Sequence, residues 1–408
     1  LSKKFVIITQ YYPPEVGGGS QRSVGFAEEL HKLGYEVTVI APFPSYLLQK
    51  NEIVKKHKLY EKSNQNGITV YHTYVYASDR GSFFNRILYY LSFTFSSTLV
   101  GLFKLKKIDY HLTISPPLFN GITGILLKYF KKSKFIFDIG DLWPESAIQL
   151  GFLTNKTAIT LSEKLEHLIY KKADFINVVT EITKQKLLSK FHFLQQIFWI
   201  PNFVRTDLLV KKERDAALEQ KLNLQNKFVI GYAGNIGSAQ GLKLVTDTAK
   251  LTQSKKEIVF LLIGDGVQRE EIENEIKQNN LTNVLFLPPV DRDKILIYLT
   301  LFDATLIPLV KNELFKFTIP SKLYEAMSAE SPVLLCVDGE ARRILELVGA
   351  GLFCEPDDPM ILSEKILWMF ENKKELQKMG EAGRKYACEV YDRHKVITGF
   401  VDGLSNHV

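Results

Sequence analysis

Residues 11–23 read YYPPEVGGGSQRS, set between the apolar run FVIIT and the stretch VGFAEELHKLGYEVTVI. The flanks read as a buried strand before it and a helix followed by a second strand after it, so this stretch is a strand-to-helix turn. It carries three consecutive glycines, Gly17 to Gly19. Glycine costs roughly 1 kcal/mol against alanine inside a regular element, so three together mark backbone that must be bare or turn sharply. The turn is not a P-loop, which would end in Gly-Lys-Ser/Thr. Nor is it a dinucleotide fingerprint: Arg22 stands where the third glycine belongs, and the second strand ends in Ala41-Pro42 instead of an acid. Two readings stay open at this point, a helix N-terminus that admits an anion and a sharp turn without a ligand.

Working outward, strand-length apolar runs recur with helical stretches between them: EVTVIA, ITVYHTYVY, YHLTIS, KFIFDI, FINVVT and IFWIPN. This is the rhythm of a parallel sheet covered by helices. After Pro201 a charged stretch, VRTDLLVKKERDAALEQKLNLQNK, interrupts it, and the rhythm restarts with FVIGYAG, IVFLLIGDG, NVLFLPP, DATLIPL and SPVLLCV. At 408 residues the chain is too long for one ordinary core. The pattern predicts an α/β protein of two Rossmann-like parallel-sheet domains, over 1–203 and 204–385, with a terminal helical segment, 386–408, outside the second rhythm.

Composition is that of a folded soluble protein, 46% hydrophobic and 24% charged. The three cysteines, Cys336, Cys354 and Cys388, lack metal-ligand spacing and suit a reducing compartment. LSKKFVII enters a strand without a signal-peptide h-region, so a cytoplasmic protein is expected. Charge is uneven: net +10 over residues 1–200 and −3 over the rest, giving the overall +7. The basic half is suited to an anionic surface or substrate. Within it, ILYYLSFTFSSTLVGLF (87–103) carries no charge and is flanked by Arg80, Arg86, Lys104, Lys106 and Lys107. It reads as a buried helix or as an interfacial helix with basic flanks; a span is short for its length and would break the alternation.

Two glycine-bearing turns of the second half, GYAGNIGSAQGL (231–242) and LLIGDGVQREEIE (261–273), follow apolar strands. They place Gly237, Gly264, Asp265 and Gly266 at the carboxyl ends of strands, where open parallel sheets bind ligands. In FTIPSKLYEAMSAESPVLLC (317–336), Pro320 opens a helix, Ser321, Lys322 and Leu323 form its first turn, and Glu325 follows on the same face as Ser321 and Lys322. Amides and Lys322 there suit a diphosphate, with Glu325 accepting from ribose hydroxyls. The DRD at 291–293 has a metal-binding spacing but lies between a strand and a helix, where acids cap; no catalytic metal or other cofactor is expected.

These motifs, with ISPPLFNGI, FDIGDLWPESAIQLGFL, IPNFV and GEAGRKYACEVYD, make the chain similar nearly end to end to retaining glycosyltransferases of family 4. DLWPES and PSKLYEAM resemble the bacterial branch of N-acetyl-L-fucosaminyl transferases of O-antigen and capsule assembly. The resemblance implies the GT-B fold, two Rossmann-like domains facing a cleft, with the terminal helix returning to the first. Gly18 and Gly19 would then approach a diphosphate held by the second domain. The chain departs from the family at several places: Asn235 and Gln240 stand where many members carry Arg and Lys. Phe317 replaces the acid eight residues before Glu325. The family's His-Asp pair aligns with Gly140 and Asp141. Lys322 is left to carry the phosphate charge, Asp141 leads the acidic candidates on the acceptor side, and Asp138 and Glu145 follow. Asp141 could equally cap the turn at Leu142-Trp143-Pro144.

The resulting expectation is a cytoplasmic enzyme, peripheral on the inner face of the plasma membrane. It would move a sugar, an N-acetylated deoxyhexose by the branch resembled, from a UDP-sugar to a polyprenyl-diphosphate-linked acceptor with retention of configuration. Its partners would be the UDP-sugar, the lipid-linked acceptor and an anionic membrane, with no nucleic acid. A non-catalytic sugar-nucleotide sensor and a GT-B epimerase are the alternatives.

Overall fold

The structure, a computed structural model, describes residues 2–15, 17–44, 58–76, 83–194 and 197–406. The chain divides into two compact units, Leu1–Phe203 with Arg393–Val408, and Val204–Asp392. The sequence pattern closes the second domain at 385; the second unit instead runs on through a turn of π-helix, Ala387–Tyr391, because Tyr391 is buried edge-on against Tyr324, 4.4 Å between ring centroids.

In the first unit, β1 (Lys4–Ile8), β2 (Glu36–Pro42), β3 (Tyr60–Gln65), β4 (Ile68–Thr73), β5 (Tyr110–Ser115), β6 (Lys134–Ile139), β7 (Phe175–Val178) and β8 (Ile197–Trp199) form one sheet in the order β3-β4-β2-β1-β5-β6-β7-β8. Its pairs are parallel except β3 with β4. The central strands are buried on both faces, which is why they read as largely apolar runs, with buried His111 and Thr113 of β5 among the exceptions. Strand β3, YEKSNQ, was invisible to that signal: it is an edge strand whose charged and amide side chains face water.

One face carries α1 (Gly18–Lys32) and the C-terminal helix Arg393–Ser405, whose Phe26, Leu30, Ile397 and Phe400 pack with Phe5, Ile7 and Val39. The other face carries α2 (Phe83–Lys104) and α3 (Asn120–Lys131). By length and composition α2 could cross a membrane. Here Tyr89, Phe93 and Val100 belong to the core, while Leu91, Phe95 and Phe103 on its outer side are 41, 65 and 76% exposed. It is at once a core helix and the bearer of an apolar outer stripe. Arg80 lies outside the described residues.

The second unit is a wholly parallel sheet of β9 (Phe228–Ala233), β10 (Ile258–Ile263), β11 (Val284–Leu287), β12 (Ala304–Pro308), β13 (Val333–Cys336) and β14 (Gly351–Phe353), in the order β11-β10-β9-β12-β13-β14. In each sheet the winding direction reverses beside the first strand, between β1 and β5 and between β9 and β12. Such a switch point leaves a crevice at the carboxyl ends of the strands, because the loops on its two sides run in opposite directions.

Candidate active site

At the second unit's switch point, the loop after β9 meets the one after β12: the Val310 amide donates to the Ala239 carbonyl at 3.0 Å. Gly234 leaves β9 with φ +148°, and Gly264 and Gly266 leave β10 with φ +154° and +157°, conformations that favour glycine. The two turns are laced together, Ile236 N to Asp265 O at 2.8 Å and Gln268 N to Ile236 O at 2.9 Å. A Cβ on Gly264 would collide with the Gly234 carbonyl, and one on Gly266 with that of Ile236. Asp265 is exposed and accepts from the Gly266 amide at 2.9 Å.

Helix Ser321–Ser328 begins beside these turns, with Pro320 as its N-cap and no side chain capping it. Its first helical-type bond is Leu323 N to Pro320 O, 2.9 Å, so the amides of Ser321 and Lys322 precede the ladder. The Lys322 side chain folds back over the Tyr232 ring, Nζ 4.9 Å from its centroid, to the bare Cα of Gly234. Desolvation there lowers its pKa below the ordinary lysine range, and the Glu325 carboxylate partly opposes this. Ser321 and Glu325 are exposed and Leu323 is buried, so Leu323 offers backbone alone. A lysine ammonium and two helix-start amides outside the ladder thus stand together beside the glycine turns, the groups that anion binding would need.

Asn235 and Gln240 have turned to each other. Asn235 Nδ2 donates to Gln240 Oε1 at 3.3 Å, and the Gly237 amide donates to the same oxygen at 3.1 Å. They brace the loop and bring no charge to it. Asp291 stands at the N-cap of helix Arg292–Leu299, but its carbonyl, not its carboxylate, receives the Lys294 and Ile295 amides; the carboxylate pairs with Lys294 at 3.5 Å. No cluster of three or more His, Cys, Asp or Glu suited to a metal occurs among the described residues.

In the first unit Gly17 occupies the N-cap of α1 with φ +141°. Gly18 needs no unusual φ, and a Cβ there would meet nothing within 4 Å, whereas one on Gly19 would press on the Tyr11 ring at 3.1 Å. Bareness at Gly18 therefore serves neither backbone strain nor packing. Across the switch point, Gly140 N donates to Ser115 O at 2.9 Å and places Asp141 at the carboxyl end of β6. Asp141 is open to solvent on one side and crowded on the others, and desolvation raises its carboxyl pKa.

Two of the acidic candidates are otherwise engaged. Asp138 is fully buried in a two-pronged ion pair with Arg22, both bonds 2.7 Å, so it is closed to an acceptor. Glu145 is ion-paired with Lys186 and accepts from Gln149 at 3.1 Å, within the short helix Glu145–Gln149.

Residues 16–208 match the family described as Glycosyltransferase Family 4, and residues 213–386 match Glycosyl transferases group 1. The chain is a family 4 glycosyltransferase. Among its relatives, WbjE of Pseudomonas aeruginosa, named as a glycosyltransferase, is 25% identical over 67% of this chain and 69% of its own. WcaI of Escherichia coli (strain K12), named as a colanic acid biosynthesis glycosyl transferase, is 24% identical over 98% of this chain and 99% of its own. Anabaena HepE, solved in complex with UDP, superposes with a TM-score of 0.72 at 13% identity, covering 99% of this chain and 100% of that one. At that identity the likeness fixes the fold, which is GT-B.

Sequence reasoning missed two residues that build the transferase's turns. Arg269 donates to the Gly264 carbonyl and to Leu287 O at 3.3 Å while lying over Phe286, so it clamps the second glycine turn. Tyr232 donates to Asn235 O at 2.6 Å and supplies the ring beneath Lys322. Both stand within the quoted motifs, yet only their contacts distinguish them from ordinary neighbours.

Proposed function

We propose that this glycosyltransferase takes a UDP-sugar in its second domain and transfers the sugar, with retention, to a polyprenyl-diphosphate-linked acceptor in surface polysaccharide assembly. The observation that carries the reading is the seating of Lys322 against Gly234 at the start of an uncapped helix, at the sheet's switch point. Charge developing on the departing diphosphate would be met by that ammonium and by the amides of Ser321 and Lys322, fixed in place before reaction. HepE, of the same fold, is solved with UDP, and WcaI is named for colanic acid biosynthesis; both support the donor class and the pathway type. Glu325 on the exposed face of that helix suits ribose hydroxyls, and an N-acetylated deoxyhexose follows from the branch that the motifs resemble. Of the three acidic candidates Asp138, Asp141 and Glu145, Asp141 is the one left open to an acceptor.

The acceptor's lipid stays in the bilayer, so the enzyme works as a peripheral protein on its cytoplasmic face. The exposed stripe of α2 and the lysines that follow it form the contact. With Lys322 as the counter-charge, no metal is required. Mass-spectrometric screening of nucleotide-sugars with a lipid-diphosphate acceptor in excess EDTA tests the reading. The expected result is a product from a UDP-sugar with the donor's anomeric configuration. Transfer only from other nucleotide classes, or only with added Mn²⁺ or Mg²⁺, would overturn it.

A further inference from the structure

We propose that Arg22 is a positioning residue for glycosyl transfer, binding the glycine-turn helix, the end of β6 and the segment 200–203 into one body. Arg22 lies one helical turn after Gly18, and Asp138 lies three residues before Asp141. The guanidinium Nε and Nη2 donate to Asp138 Oδ2 and Oδ1, each at 2.7 Å. Nη2 also donates to Ile200 O at 3.0 Å, and Nη1 to Pro201 O at 3.1 Å and Asn202 Oδ1 at 3.3 Å. Every N–H that an arginine possesses is thereby committed. The plane is further held by Phe26 and Phe203, 5.0 and 5.9 Å from their ring centroids. Phe203 presses so closely on α1 that a Cβ on Gly25 would overlap its ring.

A buried ion pair is poor grounds for stability, since desolvating both charges offsets most of their attraction. What a fully committed guanidinium supplies is direction: it cannot turn without breaking several bonds at once. Rotation of α1 would carry Gly17–Gly19 with it, and a shift of β6 would carry Gly140 and Asp141. Arg22 therefore fixes the spacing of these two turns, at 5% exposure and without touching substrate. The inference rests on the reading that both turns face the reacting groups, where an error of about 1 Å costs on the order of 10²-fold in rate.

The test uses the full chain with Arg22→Lys, which keeps the charge and loses the fork, and Asp138→Asn, which keeps the shape and loses the charge. Rates are read well below each variant's melting temperature. The expected result is a kcat lowered by roughly 10²-fold in each, with the Kd for UDP within about twofold of wild type. The double variant should be little worse than either single one, because the two act as a unit. A wild-type kcat with only a lowered melting temperature would overturn the proposal, as would failure of both variants to fold, which would make the pair a stability element. Should wild type itself not bind UDP, the fault lies with the donor reading instead.

Discussion

A Cβ on Gly234 would stand 2.6 Å from the Nζ of Lys322. The Lys322 ammonium is thus seated against backbone left bare for it, between the Tyr232 ring and the first amides of helix Ser321–Ser328.

That seat depends on Gly264, whose Cα faces the Gly234 carbonyl at φ +154°. Gly264→Ala should displace the β9 turn, with a stability loss of about 1–3 kcal/mol from the strained conformation alone. UDP affinity should fall with it. Urea denaturation and calorimetry read the two effects, and wild-type values of both would show that the turns are not coupled.

Burial has lowered the Lys322 pKa, so the free enzyme gives up that proton at lower pH than an ordinary lysine, and a bound diphosphate would raise it again. UDP affinity should fall as pH rises through the lowered value. Binding in that range should take up protons, visible as a dependence of the calorimetric enthalpy on the ionisation enthalpy of the buffer. Affinity that is flat up to the ordinary lysine range, with no proton uptake, would place the charge elsewhere.

Gly18→Val should leave the fold intact, because a side chain there meets nothing within 4 Å. It should nevertheless slow transfer by at least tenfold, the effect of a branched side chain at an anion-facing helix start. Full turnover at wild-type stability would reduce the turn to a connection.

How far the sequence reveals this site depends on how local its physics is. Gly264 and Gly266 are legible because a positive φ restricts the residue type at its own position, and the Pro320 helix start because proline does the same. The sheets are legible because parallel strands buried on both faces are mostly apolar. Arg22 with Asp138 is not, since the partners lie 116 residues apart and neither breaks a local pattern; the same holds for Glu145 with Lys186. Asp138, read as an acceptor-side acid from its place near Asp141, proves inaccessible for this reason. Strand β3 escaped because an edge carries no apolar signature.

Phe95 and Phe103 on α2 are exposed, as are Lys104, Lys106 and Lys107 beside them, and on the proposed reading this face would meet anionic lipid. Reversing the three lysines to Glu should release the enzyme from anionic vesicles at low salt, at about 1 kcal/mol for each cation lost near the surface. UDP affinity should not change, since the donor turns belong to the other unit. Co-sedimentation decides it: a wild type that never binds such vesicles, or a triple variant that binds as well, would return α2 to the role of core helix alone.

The most direct measurement is the calorimetric Kd for UDP of wild type beside Lys322→Ala. Loss of one charge-assisted hydrogen bond, about 1.5–3 kcal/mol, corresponds to weakening by roughly ten- to a hundredfold. That weakening, with the variant's melting temperature near wild type, is the expected result; an unchanged Kd would contradict the assignment of the donor diphosphate to Lys322 and its helix.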